Sequence, residues 1–138
     1  MPEKVYLTRR ETFAAAHRLF KPELSDAENY NLFGKCSNPN WHGHNYTLEI
    51  TVLGEVNHHT GFVLDIKKLK QLIHEYVISK VDHKNLNIDT DFMKGIIPTS
   101  ENITIAIWNQ LKNEIPGGKL YSVKLYETEN NYFEYKGE

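Results

Sequence analysis

Apolar and polar positions alternate along residues 4 to 16, with Val5, Leu7, Glu11 and Phe13 on one parity and Tyr6, Thr8, Arg10 and Thr12 on the other. A period of two predicts a long half-buried strand, imperfect at Arg9 and Glu11. The pattern returns over residues 43 to 53, where Tyr46, Leu48, Ile50 and Val52 share a parity, and it ends at Gly54 before a turn over residues 55 to 61. The spacing then changes. Ile66, Leu69, Leu72, Ile73, Tyr76 and Val77 recur as on one face of a helix capped by Asp65, while Lys67, Lys68, Lys70 and Gln71 face water. A second helix opens at Pro98-Thr99-Ser100-Glu101-Asn102, with Thr99 or Ser100 as N-cap. Its apolar stripe is Ile103, Ile107, Trp108 and Leu111, and Pro116-Gly117-Gly118 stops it. Residues 120 to 128, a turn at Glu129-Asn130-Asn131 and residues 132 to 135 read as a hairpin. The order strand, strand, helix, helix, strand, strand predicts an α+β fold. It is a four-stranded antiparallel sheet with two helices on one face and two open edges that need partners.

Residues 18 to 41 show no sustained period and are rich in turn formers, among them Pro22, Ser25, Asp26, Asn29, Asn31, Gly34, Asn38, Pro39 and Asn40. A loop this long within a small domain is usually functional. At 138 residues the chain reads as one domain spanning residues 1 to 138, long enough to bury its own core. A net charge of −2 and a pI near 6.4 exclude the strongly basic face of a nucleic-acid binder. No apolar run approaches the roughly 18 residues that span a bilayer. The start, Met1-Pro2-Glu3-Lys4, lacks a signal peptide's apolar segment, so a cytoplasmic protein without membrane partners is expected. The single cysteine, Cys36, cannot form an intramolecular disulfide and is either a small buried hydrophobe or a working thiol.

Candidate chemistry concentrates in Cys36-Ser37-Asn38-Pro39-Asn40-Trp41-His42-Gly43-His44-Asn45-Tyr46. On a strand, side chains at i and i+2 share a face. His42 and His44 can therefore reach one metal ion, on the parity of the apolar positions that follow. Gly43 permits close backbone approach. A zinc site with an open position needs a third ligand, and His17, closing Phe13-Ala14-Ala15-Ala16-His17, is the best placed. The other histidines read differently: His58 and His59 as solvated turn residues, His74 as a surface residue of the first helix. Asp82-His83 lies in the polar loop Val81-Asp82-His83-Lys84-Asn85-Leu86-Asn87, which can carry the pair to a domain edge or a subunit boundary. Glu127 shares parity with Tyr121, Val123 and Leu125. It is either a wet residue at a frayed strand end or a ligand anchor, since a buried carboxylate needs donors. Thr99 and Ser100 serve as caps, but a helix N-terminus also receives polar ligands.

Taken together and in order, these segments resemble the 6-pyruvoyl-tetrahydropterin synthase family. The likeness runs through residues 13 to 19, Phe33-Gly34-Lys35-Cys36, Asn38-Pro39-Asn40, His42-Gly43-His44-Asn45-Tyr46, Leu69-Lys70, residues 81 to 87, Thr99-Ser100-Glu101-Asn102 and Tyr126-Glu127-Thr128. It covers nearly the whole chain. The resemblance implies the tunnelling fold, in which trimers close a β-barrel and two trimers stack as a homohexamer with active sites between subunits. It implies Zn2+ on His17, His42 and His44, with Cys36 as catalytic base aided by Asp82 and His83. It further implies that Glu127 anchors the pterin and belongs to the catalytic set, with Thr99, Ser100 and Glu101 lining the pocket. The implied reaction converts 7,8-dihydroneopterin triphosphate to 6-pyruvoyl-tetrahydropterin plus triphosphate, a lyase step of tetrahydrobiopterin biosynthesis. The sister 6-carboxy-tetrahydropterin synthases of the queuosine pathway share the histidines but place their cysteine four positions before the first histidine of His-Gly-His. Here the offset from Cys36 to His42 is six, across an Asn-Pro-Asn insertion, as in the pyruvoyl-forming branch. A zinc or pterin-binding module without turnover is the remaining alternative. Trp41 departs from the small residue expected before His42.

Overall fold

The computed structural model describes residues 3–138; Met1 and Pro2, the first two residues of the start read for a leader, lie outside the described residues. Two long strands form the frame. β1 (Lys4–His17) and β2 (His42–Glu55) pair antiparallel over their full length, from Lys4 opposite Glu55 to His17 opposite His42. The polar outer parity is tied by a Thr8–Thr51 hydroxyl bond of 2.8 Å and by Arg10 on Glu49 at 2.6 Å. The other parity, with Phe13, Tyr46, Leu48, Ile50 and Val52, is buried.

Three further strands complete a sheet of five in the order β3-β1-β2-β4-β5. β4 (Lys119–Thr128) pairs antiparallel with β2, and β5 (Asn131–Tyr135) with β4. β3 is only Lys84–Asn85, parallel to β1 at Ala15 and Ala16. It is the strand the alternation does not predict, because two residues carry no period. Backbone hydrogen bonds hold this edge: His83 N–H donates to the Ala14 carbonyl at 2.6 Å and Leu86 N–H to that of Ala16 at 2.8 Å.

The segment 18–41 is not the structureless loop its composition predicts. Residues Asp26–Phe33 form a helix, α1, followed by a 3₁₀ turn over Gly34–Ser37. Ser25 and Glu28 make a reciprocal capping box, the Ser25 hydroxyl accepting from Glu28 N–H at 3.2 Å and Glu28 accepting from Ser25 N–H at 3.0 Å. Such a box satisfies two orphan donors at a helix start. The helix was invisible to periodicity because it buries no apolar stripe: Asn29 is its one fully buried residue.

α2 (Ile66–Ile73) is capped by the Asp65 carboxylate, which accepts from Lys67 N–H at 2.9 Å. It continues through a π turn (His74–Ile78) into a last α turn (Ser79–Val81), and Asp82 ends it in extended backbone. Leu69, Leu72, Ile73, Val77 and Val81 are buried, whereas Ile66 in the first turn is exposed. α3 (Ser100–Leu111) takes Thr99 as N-cap, the hydroxyl accepting from Asn102 N–H at 3.2 Å. Its Ile103, Ile107 and Leu111 meet Leu48, Ile50, Val123 and Leu125 in one core. Each such side chain contributes about 1.5–3 kcal/mol through burial. This packing fixes the sheet face on which the imidazoles lie.

Candidate metal centre and active site

The end of the β1–β2 ladder gathers the chemistry. Because His17 pairs with His42 and Ala15 with His44, all three imidazoles leave the same face within one turn of the ladder. Ring centroids stand 5.0 Å apart for His17 and His44, 4.5 Å for His42 and His44, and 6.1 Å for His17 and His42. The 3₁₀ turn brings Cys36 to the same place. One ligand atom from each of His17, Cys36 and His44 lies within 4.8 Å of the others, a group suited to a metal ion. His42 stands beside this group, exposed to solvent. Gly43 is not needed for close approach, since a Cβ there meets only the Ala15 carbonyl at an ordinary 3.6 Å.

The protonation states favour ligation. His17 is fully buried, and its Nδ1 lies 2.9 Å from the Pro98 carbonyl oxygen. A carbonyl only accepts, so Nδ1 carries the proton and Nε2 presents a lone pair. That Nε2, like His44 Nε2, is buried without a hydrogen-bond partner among the described residues. Burial holds the pKa of both rings below the usual imidazole range, with the Glu127 carboxylate opposing it. Two buried, unpartnered imidazole nitrogens beside a sulfur form a donor set that a borderline-soft divalent ion such as zinc satisfies. In contrast, burial and then Glu127 push the Cys36 thiol up, so the chain alone keeps it protonated.

Glu127 is neither frayed nor idle. A register irregularity between Tyr126 and Thr128 leaves it out of the β4–β5 ladder, and a bulge of this kind re-aims a side chain. One carboxylate oxygen accepts from the Ser100 hydroxyl, and the other lies 3.7 Å from His44 Nε2. Ser100 is buried at the start of α3, so that helix end fixes the carboxylate beside the imidazoles. Thr99 is engaged in capping, and Glu101 is exposed on the first helical turn.

Asp82 and His83 form their own unit. Asp82 accepts from Ala14 N–H at 3.0 Å and lies 3.0 Å from His83 Nδ1. The Ala14 N–H and then His83 hold its carboxyl below the usual range. His83 is 83 % exposed and sits in left-handed backbone, φ 58°, which costs a non-glycine residue about 1–2 kcal/mol. It lines an open cleft of about 520 Å³ with Ala14, Ala16, His44, Asn45 and Lys84. Ala14, Ala16 and Asn45 have the parity opposite to His17 and His44, and no hydrogen bond or ion pair among the described residues joins the Asp82–His83 pair to Cys36.

Sequence reasoning missed the groups that hold the centre in place. The Pro98 carbonyl sets the His17 tautomer, and no residue type announces a carbonyl. Asn87 clamps the chain after His17, accepting from Arg18 N–H and donating to its carbonyl, both at 2.9 Å. Among the cations of this half of the chain, Arg9 is paired with Glu11 at 2.9 Å, Arg10 with Glu49 at 2.6 Å and Arg18 with Asp26 at 3.5 Å. Lys35 lines a second cleft, of about 400 Å³, with Tyr30, Ser37, Pro39 and His42.

Comparison with known proteins agrees with this geometry. The family model described as 6-pyruvoyl tetrahydropterin synthase matches residues 6–138. The chain is 47% identical over 132 residues to the 6-pyruvoyl tetrahydrobiopterin synthase of Homo sapiens, covering 96% of this chain and 91% of that one. It is 47% identical over 140 residues to that of Dictyostelium discoideum, covering 100% of both. The solved structure of the Caenorhabditis elegans 6-pyruvoyl tetrahydropterin synthase superposes with a TM-score of 0.91 at 43% identity, covering 99% of this chain and 98% of that chain. That of Plasmodium falciparum, at 19% identity and a TM-score of 0.68, shares the fold. Matched along its whole described length in sequence and in structure, the chain belongs to the 6-pyruvoyl tetrahydropterin synthase family and is a lyase-type enzyme of pterin chemistry.

Proposed function

We propose that this chain converts 7,8-dihydroneopterin triphosphate to 6-pyruvoyl-tetrahydropterin with release of triphosphate, as a zinc enzyme of the cytoplasm. The observation that carries the reading is the convergence of His17, Cys36 and His44 within 4.8 Å beside a carboxylate that the Ser100 hydroxyl holds in place. His17 and His44, joined by the neighbouring His42, would hold the zinc. Bound there, zinc supplies Lewis-acid withdrawal of charge from the substrate's side-chain oxygens.

The remaining work falls to the chain. The substrate loses triphosphate while two side-chain carbons become ketones and the pyrazine ring is reduced, so the electrons stay within the molecule. What must be moved is protons at weakly acidic C–H bonds. Cys36 takes them as thiolate, which requires positive charge nearby to offset the burial and the Glu127 carboxylate that keep it protonated. Asp82, 3.0 Å from His83, orients that ring and stabilises its protonated form. No hydrogen bond or ion pair among the described residues joins the pair to Cys36, and it would act on a neighbouring subunit's site in a homohexamer built as a dimer of trimers. Glu127 receives the amino group and adjacent ring N–H of the pterin in a two-oxygen pair, and such a site rejects ligands without those donors. Lys35, which lines the cleft beside His42, would meet the triphosphate there.

The decisive assay is incubation of the zinc-loaded chain with 7,8-dihydroneopterin triphosphate, following triphosphate release and identifying the pterin product. Stoichiometric triphosphate and a pyruvoyl product are expected. A carboxy product would assign the sister activity, and pterin binding without turnover would make the chain a binding module.

A further inference from the structure

Arg18 directly follows His17, and its side chain is only 16 % exposed. The guanidinium lies over the Phe20 ring, 4.1 Å from the centroid, and its Nε–H donates to the Ser37 carbonyl at 2.9 Å. An aliphatic side chain would pack on Phe20 as well, but it would leave that carbonyl unheld. The Asp26 carboxylate stands 3.5 Å from an outer nitrogen and is 86 % exposed, and a surface pair of this kind contributes little. The inward bond is therefore what the arginine adds.

What it holds is the turn that carries Cys36. Leu19 N–H donates to the Cys36 carbonyl at 2.7 Å, so two successive carbonyls of the 3₁₀ turn are fixed by two successive residues of the segment leaving β1. The Ser37 hydroxyl closes the turn on the Gly34 carbonyl at 2.8 Å. Arg18 is itself fixed at its root, because the Asn87 side chain accepts from its N–H and donates to its carbonyl. A planar guanidinium stacked on a ring and rooted in a clamped backbone has little freedom left to lose, so its hydrogen bond is directional. The sulfur, within 4.8 Å of the His17 and His44 ligand atoms, thus takes its place from the residue next to His17 and not from the histidines themselves.

We propose that Arg18 is a positioning residue for Cys36: by holding the Ser37 carbonyl it keeps the 3₁₀ turn where the sulfur faces the ligand that the imidazole centre binds. The inference rests on the reading of Cys36 as the base and extends it. Arg18 then serves the reaction without touching substrate or metal. It is the inner N–H, and not the positive charge, that does this.

The test is a double-mutant cycle on kcat in the full chain loaded with zinc, with 7,8-dihydroneopterin triphosphate at saturation and triphosphate release as the readout. Arg18→Lys is the informative variant, because lysine keeps a stem over Phe20 and a positive charge but has a methylene where arginine has its Nε–H. Alone it is expected to lower kcat about tenfold, the loss of one hydrogen bond from a charged donor, with the zinc content unchanged. In a Cys36→Ala background the same substitution is expected to change kcat by no more than about twofold, because nothing remains to be positioned. A tenfold loss in both backgrounds overturns the proposal, since Arg18 would then act on the site independently of the sulfur. An unchanged kcat in Arg18→Lys overturns it too, as does a fall that comes with lost zinc or without a cooperative melting transition. Near-normal turnover of Cys36→Ala alone would mean that the reading of the base fails first, and this assignment with it.

Discussion

The two ends of the β1–β2 ladder both carry histidines, two at one end and three at the other, and they could hardly differ more. At the Lys4–Glu55 end, His58 and His59 line a cleft of about 760 Å³ with Lys4, Val56 and Lys119. Both are exposed in a turn that the Asn57 side chain organises by accepting from His59 N–H at 2.8 Å. At the His17–His42 end the space is tighter, but His44 and His17 keep buried, unpartnered Nε2 atoms. Adjacent residues on a turn diverge, whereas i and i+2 on a strand converge. Spacing and orphaned polar atoms therefore mark the centre, and cavity size does not.

The sharpest way to break this contrast is to remove a ring from each end. His44→Ala is expected to lower bound zinc to well below one per chain and abolish turnover, while His59→Ala keeps both near the unaltered values. Metal analysis and the triphosphate assay read the two variants side by side. Equal zinc content in both would dissolve the distinction. Cys36→Ala comes next: it should fold and retain zinc, with the rate reduced about 10²- to 10⁴-fold because the base is gone. Near-normal turnover would take the sulfur out of the reaction and leave it as a spare ligand. Glu127→Gln should act more mildly, raising KM for the pterin substrate about tenfold or more, because an amide can accept only one of the two ring donors. Unchanged kinetics would return Glu127 to a purely structural partner of Ser100.

How much of this was written in the sequence depends on whether a feature has a period. β1 and β2 were readable because alternation runs through Phe13, Tyr46, Leu48, Ile50 and Val52, and the same parity placed His44 on the buried face. α2 and α3 were readable from their apolar stripes and from caps at Asp65 and Thr99. α1 was lost because it buries only Asn29, although Ser25-Asp26-Ala27-Glu28 carries a capping-box signature that could have revealed it. β3 was lost because it is two residues long. Within the site, side-chain types were legible and their supports were not: the Pro98 carbonyl on His17 and the Asn87 clamp on Arg18 depend on contacts between segments 81 and 69 residues apart. The family resemblance supplied Cys36, Asp82, His83 and Glu127 as a set, and folding one chain brings Cys36 and Glu127 to the imidazoles while Asp82 and His83 form a separate pair at the β3 edge.

The smallest expected effect concerns the backbone that delivers His42. Trp41 and His83 are the two non-glycine residues with positive φ among the described residues, at 71° and 58°, and each abuts a candidate site residue. Strain of this kind persists where the surroundings enforce it and tends to cluster at functional sites. For Trp41 it also gives the physical reason why a small residue was expected there: glycine adopts left-handed backbone without the Cβ clash. Removing the indole changes packing as well as φ, so one substitution cannot isolate the strain. Trp41→Ala and Trp41→Gly together can, because both lose the ring and only alanine retains the Cβ. If the loop holds its conformation in solution, the glycine variant should be the more stable by about 1 kcal/mol, or about 2–4 °C in Tm for a chain near this size. Equal melting temperatures, or a more stable alanine variant, would mean that position 41 relaxes out of the left-handed region. The entry of β2 would then be flexible at the residue that precedes His42, the last pair of the β1–β2 ladder.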